Sequence, residues 1–176
     1  MKLKHVIYIM GVSGVGKSTI GLLLSEALDL PFFDGDDYHP AGNISKMTSG
    51  QPLTDTDRAP WLSALNELAI SQLKLKGCII ACSALKQSYR DILADSIETQ
   101  TKWVHLVGSF NLIHTRINKR KGHFMSSELL QSQFETLQQP KDAIEIDISL
   151  SPQKITEIIK EKFCLLYTSP SPRDRG

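Results

Sequence analysis

Eight consecutive residues, Gly11-Val12-Ser13-Gly14-Val15-Gly16-Lys17-Ser18, follow the pattern Gly-x-x-x-x-Gly-Lys-Ser/Thr without deviation. Glycines at these spacings let the backbone curl until successive N–H groups converge on phosphate oxygens. A helix starting at the end of such a loop adds the positive end of its dipole. In this arrangement Lys17 reaches the β- and γ-phosphates and Ser18 ligands Mg²⁺. Gly11, Ser13, Gly14, Val15, Gly16, Lys17, Ser18 and Thr19 are therefore the candidate nucleotide contacts, with Mg²⁺ as the expected metal. The pattern points to a mononucleotide and leaves open what happens to its phosphate.

Three further clusters could decide that. In Asp34-Gly35-Asp36, carboxylates two residues apart on an extended segment point the same way. One could hold magnesium-bound water while the other takes a proton from an acceptor hydroxyl; the same residues also favour a plain turn. Arg116 and Arg120 lie four residues apart, on one face of a helix, followed by Lys121-Gly122-His123-Phe124. They could close as a cationic lid over about residues 119–130, or simply sit favourably at a helix C-terminus. The stretch 38–61 carries His39, Lys46, Asp55, Asp57 and Arg58, and Lys86 and Arg90 follow later. Arg58, Lys86 and Arg90 could neutralise an acceptor carboxylate and His39 could bind a hydroxyl, although each type is also common on a solvated surface.

These residues need a scaffold. The patterning predicts strands over 5–10, 32–33, 78–82, 103–107 and 144–148. Helices are predicted over 17–29, about 59–76, 86–97, 110–121, 127–138 and 151–163, with a polar connection over 38–60. This alternation predicts an α/β fold of the P-loop NTPase type, a five-stranded parallel sheet with helices on both faces. Residues 1–163 form one domain, and 164–176, rich in Ser, Pro and Arg, are expected to be an unstructured tail foreign to it.

The 176 residues are 41% hydrophobic and 22% charged with a net charge of +1, as in a soluble domain with no basic stripe for nucleic acid. No apolar run is long enough to span a membrane, and the short apolar stretch after Lys4 reads as a buried strand rather than a signal peptide, so a cytoplasmic location is expected. Cys78, Cys82 and Cys164 have no metal-binding spacing and read as small buried hydrophobes. A GTPase switch would carry Asn-Lys-x-Asp, which Asn118-Lys119-Arg120-Lys121 does not supply. A motor ATPase would end its third strand in an acid, where this chain has Cys82-Ser83-Ala84-Leu85. A small-molecule kinase remains; the alternative from another class is a nucleotide-binding regulator without catalysis, against which Lys17, Asp36 and Arg120 speak.

The chain resembles the P-loop gluconokinases, relatives of shikimate kinase and the nucleoside monophosphate kinases. The resemblance rests on Met10 through Ser18, Asp34-Gly35-Asp36-Asp37-Tyr38-His39-Pro40, Asn43 through Met47 and Gly50 through Leu62. It continues in Cys82 through Asp91, Arg120 through Phe124, and Gln133-Phe134-Glu135-Thr136-Leu137-Gln138-Gln139-Pro140. It covers about residues 5–162 and implies ATP, Mg²⁺, D-gluconate as acceptor, 6-phospho-D-gluconate as product, a moving lid and a homodimer. By the same resemblance Asp36 faces the acceptor hydroxyl, leaving Asp34 with Ser18 on the metal side. Lys17, Asp36 and Arg120 are then catalytic, Arg116 lies near the nucleotide, and His39, Arg58, Lys86 and Arg90 are candidate gluconate contacts. Another small hydroxy acid such as shikimate is the alternative acceptor. Gln138-Gln139-Pro140 departs from the family, which commonly has an acid before this proline.

Overall fold

The computed structural model describes residues 4–120 and 126–168. The chain alternates β1 (His5–Met10), α1 (Lys17–Leu28), β2 (Phe32–Asp34), α2 (Ala41–Thr48), α3 (Asp55–Leu73) and β3 (Gly77–Ala81). It continues with α4 (Gln87–Leu93), β4 (Thr101–Val107), α5 (Phe110–Lys119), α6 (Ser127–Thr136), β5 (Ala143–Asp147) and α7 (Pro152–Thr168). The strands form one parallel sheet in the order β2-β3-β1-β4-β5. This is the expected five-stranded architecture.

β1 is buried at all six positions, as a central strand covered on both faces must be. Its side chains alternate between two cores. Ile7 and Ile9 pack with Leu24 of α1, Ile113 of α5 and Ile155 and Phe163 of α7. Val6, Tyr8 and Met10 pack with Leu62 and Leu65 of α3 and Leu93 of α4. Each of these aliphatic side chains contributes about 1.5–3 kcal/mol by leaving water. Cys78 and Cys82 are free, buried thiols in the second core, as their spacing predicts.

Register brings the site together. Ala81 of β3 pairs with Ile9 of β1 on one side and Asp34 of β2 on the other. The loop after β1 and the acidic turn after β2 therefore leave the same rim, at the carboxyl ends of the strands, where open α/β sheets bind ligands.

Several boundaries differ from the sequence expectation. The segment 38–60 is largely helical: it holds α2, and α3 starts at Asp55, not near residue 59. Thr54 explains the earlier start, because its hydroxyl accepts from Asp57 N–H at 3.0 Å while Asp57 Oδ2 accepts from Thr54 N–H at 2.9 Å, a reciprocal capping box. Pro60 is thus inside the helix, not at its head. The helix expected to reach Ile97 ends at Leu93. The Leu93 carbonyl is taken by Tyr8 Oη–H at 2.9 Å and Asn66 Nδ2 at 3.0 Å, so it cannot serve a next helical turn, and Ser96 turns left-handed at φ 68°. The last helix, expected to end near Phe163, continues to Thr168; the first helix breaker is Pro170, so 164–168 extend the helix instead of opening the tail. Lys121, Gly122, His123 and Phe124 of the expected lid, and residues 169–176, lie outside the described residues.

Candidate active site

The phosphate loop takes backbone conformations that side chains resist. Gly14 has φ +85°, and a Cβ there would stand 2.4 Å from Ile117 Cγ1 of α5. α1 starts directly after Gly16 with no side-chain cap and no acid in its first turn. Its leading N–H groups and dipole end therefore remain available to an anion. Beside it lies a pocket bounded by Gly14, Gly16, Thr19, Arg116, Arg120 and Leu150. Both predicted arginines thus meet the loop. Lys17 Nζ donates to the carbonyls of Gly11 (2.9 Å) and Val12 (3.0 Å). Burial pushes its pKa down, while the Asp36 carboxylate opposes that shift.

The two predicted acids divide their work. Asp34 Oδ2 accepts from Ser18 Oγ–H at 2.9 Å, and its Oδ1 accepts from Asp36 N–H at 3.0 Å, capping the 3-10 turn Gly35–Tyr38. Asp36 itself opens toward solvent. Desolvation by the surrounding protein, followed by the Asp34 carboxylate, holds its pKa above the ordinary value, with Lys17 and His39 pulling the other way. Ser18 and Asp34 offer a hydroxyl and a carboxylate, hard oxygen donors. Among the described residues no group of three or more His, Cys, Asp or Glu side chains is placed to hold a metal by itself. That set fits Mg²⁺, which keeps several waters and takes further oxygens from phosphates.

The side expected to take the acceptor is anchored by Trp61, whose Nε1–H donates to Gly35 O at 2.7 Å. Gly35 lies so close to β3 that a Cβ there would be 2.5 Å from Ala81 O. His39 stacks on Trp61 with centroids 4.0 Å apart. Its Nδ1 lies 3.3 Å from Asn43 Nδ2, which also donates to Asp57 O at 2.9 Å. Burial lowers the His39 pKa; the Asp36 carboxylate opposes that shift and the Arg58 cation adds to it. Arg58 donates to Leu53 O (2.9 Å) and Tyr89 Oη (3.0 Å). Lys86 Nζ meets both oxygens of Asp55 at 3.2 Å, and Tyr89 Oη–H donates to Asp55 Oδ1. Lys46 pairs with Asp57 at 2.7 Å, a bond that with the capping box holds the Asp57 pKa down at about 2. His39 thus stacks against the Trp61 that anchors the acidic turn, and Arg58 and Lys86 meet at Tyr89 and Asp55.

Arg90 is not with them. It is 2% exposed, and its Nε, Nη1 and Nη2 are bonded to Gln87 Oε1 and the carbonyls of Ala84, Leu85 and Gln138. Those five contacts match the five N–H donors of a guanidinium, leaving none for an acceptor carboxylate. Arg90 braces the loop after β3 against the segment after α6, which corrects its expected role in binding the acceptor. Gln133 of α6 was missed as a site residue: its Oε1 accepts from Ser13 N–H at 2.7 Å and its Nε2 donates to Ser13 Oγ at 3.0 Å. The two residues are 120 positions apart, and no local spacing could have joined them. Tyr89 and Asp55 were likewise legible only as members of charged or helical stretches.

The shikimate kinase family model matches residues 13–162. The thermoresistant gluconokinase of Escherichia coli (strain K12) is 44% identical over 149 residues, 82% of this chain and 85% of that protein. The gluconokinase of Arabidopsis thaliana is 41% identical over 172 residues, 89% of this chain and 90% of that protein. The crystal structure of a gluconokinase from Sinorhizobium meliloti 1021 superposes with a TM-score of 0.86 at 40% identity, covering 95% of each chain. The shikimate kinase of Aquifex aeolicus, at 16% identity and a TM-score of 0.61 over 93% of this chain and 99% of that one, shares the fold.

Proposed function

The chain belongs to the gluconokinases, a family of P-loop kinases, and we propose that it transfers the γ-phosphoryl group of ATP to the 6-hydroxyl of D-gluconate. The products are 6-phospho-D-gluconate and ADP. One observation carries the reading beyond family membership: charged and polar groups within electrostatic reach of one another run from Lys17 of the loop through Asp36 and His39 to Arg58, which sits with Lys86. Lys17 acts on Asp36, Asp36 and Arg58 act on His39, and Arg58 shares Tyr89 and Asp55 with Lys86. A molecule with a hydroxyl at one end and a carboxylate at the other matches that order of groups.

In the proposed reaction the acceptor oxygen attacks the γ-phosphorus as the bond to the ADP oxygen breaks. Asp36 orients the hydroxyl and receives its proton; its raised pKa favours that transfer. Lys17 and Arg120 offset charge on the transferring group, Arg120 as part of the lid expected over about 119–130. Arg116 lies on the nucleotide side. Ser18 and Asp34 would hold Mg²⁺, which when bound would supply neutralisation of phosphate charge. His39, Arg58 and Lys86 bind the acceptor. The proposal includes a homodimer in the cytoplasm, with sedimentation as the check on assembly; no described helix is long and apolar enough to cross a membrane.

The test is ADP release measured over D-gluconate, other sugar acids, shikimate and nucleoside monophosphates. Gluconate should lead in kcat/KM by about 100-fold or more, as a site built for specific polar groups discriminates. Turnover of shikimate with none on gluconate would sink the acceptor assignment. ATP binding with no turnover on any acceptor would favour a regulator instead.

A further inference from the structure

The bond between Gln133 and Ser13 has no part in the reaction as set out above, yet it occupies the phosphate cradle itself. The nucleotide pocket is lined by the second half of the loop, Gly14 to Gly16, together with Thr19. Lys17 Nζ, the group that reaches the β- and γ-phosphates, lies against the carbonyls of Gly11 and Val12, in the first half. A triphosphate entering from that pocket therefore runs its terminal phosphate toward Gly11, Val12 and Ser13. At that end the Ser13 N–H is bonded to the Gln133 carboxamide oxygen at 2.7 Å, and the Ser13 hydroxyl oxygen accepts from Gln133 Nε2–H at 3.0 Å. A neutral amide oxygen thus stands where a loop N–H would meet a phosphate oxygen.

We propose that Gln133 is a binding residue for the terminal phosphate of the triphosphate. On ATP binding a γ-phosphate oxygen takes over the Ser13 N–H, and the released Gln133 carboxamide donates its Nε2–H to the same phosphoryl group. The exchange is chemically matched: Oε1 serves as a placeholder acceptor, and Nε2 is a donor suited to an anion. Gln133 lies on α6, which packs against the nucleotide side of the molecule through Leu130 and Phe134, so the exchange ties that helix to the presence of the third phosphate. A diphosphate lacks the group that triggers it. The proposal rests on the nucleotide reading of the loop and is independent of the acceptor.

The experiment is calorimetric titration of the full chain with a non-hydrolysable ATP analogue and with ADP, each with Mg²⁺. Gln133→Ala should weaken the analogue about tenfold, the scale of one hydrogen bond to an ionised group, and ADP by less than about twofold. Gln133→Glu preserves shape and can still accept from Ser13 N–H, but it has no N–H to give and repels phosphate, so it should weaken the analogue further while sparing ADP. Thermal melts of both variants should stay near wild type. Equal weakening of the analogue and ADP would make Gln133 a brace of the loop and overturn the proposal. No change in either affinity, or tighter analogue binding in Gln133→Ala, would overturn it as well. Wild-type protein that binds neither nucleotide would sink the nucleotide reading first.

Discussion

The phosphate loop and the acceptor side share one rim of the sheet but are assembled in opposite ways. The loop is eight adjacent residues whose chemistry is mostly backbone, with glycines at positive φ and an uncapped helix start. The acceptor side is built from side chains of the acidic turn, α2, α3 and α4, and nearly every one is already bonded to another: His39 to Trp61 and Asn43, Arg58 to Tyr89, Lys86 to Asp55. A backbone cradle is specified by local spacing, because a few φ angles determine where its donors point. A side-chain network is specified only by tertiary contacts, and a cation in it can serve the ligand or the fold.

The largest test of this contrast is Lys17→Ala. It removes the charge nearest the transferring group and should lower kcat by about 100- to 1,000-fold, the range seen for loss of one preorganised electrostatic contact. Asp36→Asn should lower kcat by about 100-fold while ATP affinity, measured by titration, is retained. It also carries a pH signature. Because the Asp36 pKa is raised, first by desolvation and then by Asp34, activity in the wild type should fall with acid at a pH above the ordinary carboxylate value of about 3.9, and Asn should abolish that limb. For stability the sign is opposite. A raised carboxylate pKa means the folded state holds its proton more tightly, so ionisation weakens the fold as pH rises through it, and Asp36→Asn should be at least as stable as wild type at neutral pH.

Two cations at the start of α4, Lys86 and Arg90, then separate ligand from scaffold. Lys86→Ala should raise KM for gluconate about tenfold, as expected for losing one charge-assisted contact, with little change in the denaturation midpoint. Arg90→Ala should do the reverse. It leaves buried carbonyls without donors and should cost about 2–4 kcal/mol in chemical denaturation, while KM in the surviving folded fraction stays within about twofold. If Arg90→Ala instead raised KM selectively, the distinction would be wrong. The smallest effect belongs to Thr54→Ala, which removes one half of the capping box of α3 and should cost about 1 kcal/mol without altering KM.

The same contrast explains what could be read from the chain. The five strands, their parallel order of appearance and the loop were legible because apolar runs and glycine spacing are local signals. The start of α3 was not, since the apolar helical pattern begins only near residue 59, while Thr54 and Asp57, six and three residues before Pro60, form the cap. The end of α4 was hidden because it depends on Tyr8 and Asn66 reaching the Leu93 carbonyl from distant elements. Arg90 and Lys86 look alike in sequence, four residues apart on one helical start, and only burial sorts them. Gln133 shows the same limit from the other side: an uncharged residue carries no electrostatic flag, and its bond to Ser13 exists only once α6 has docked.

Cys78 in β3 and Cys82 just after it offer a clock for the whole assembly. Desolvation pushes both thiols up to about 12, and the sheet and α3 cover them, so in the native molecule almost no thiolate is present to react. Alkylation of Cys78 and Cys82, followed by mass spectrometry, therefore reports how often the central sheet opens. Since β3 joins the strand that carries the loop to the strand that carries the acids, a nucleotide or acceptor that holds those two strands together should lengthen the labelling half-life. Occupancy of the rim would thus be recorded as chemical silence in the core.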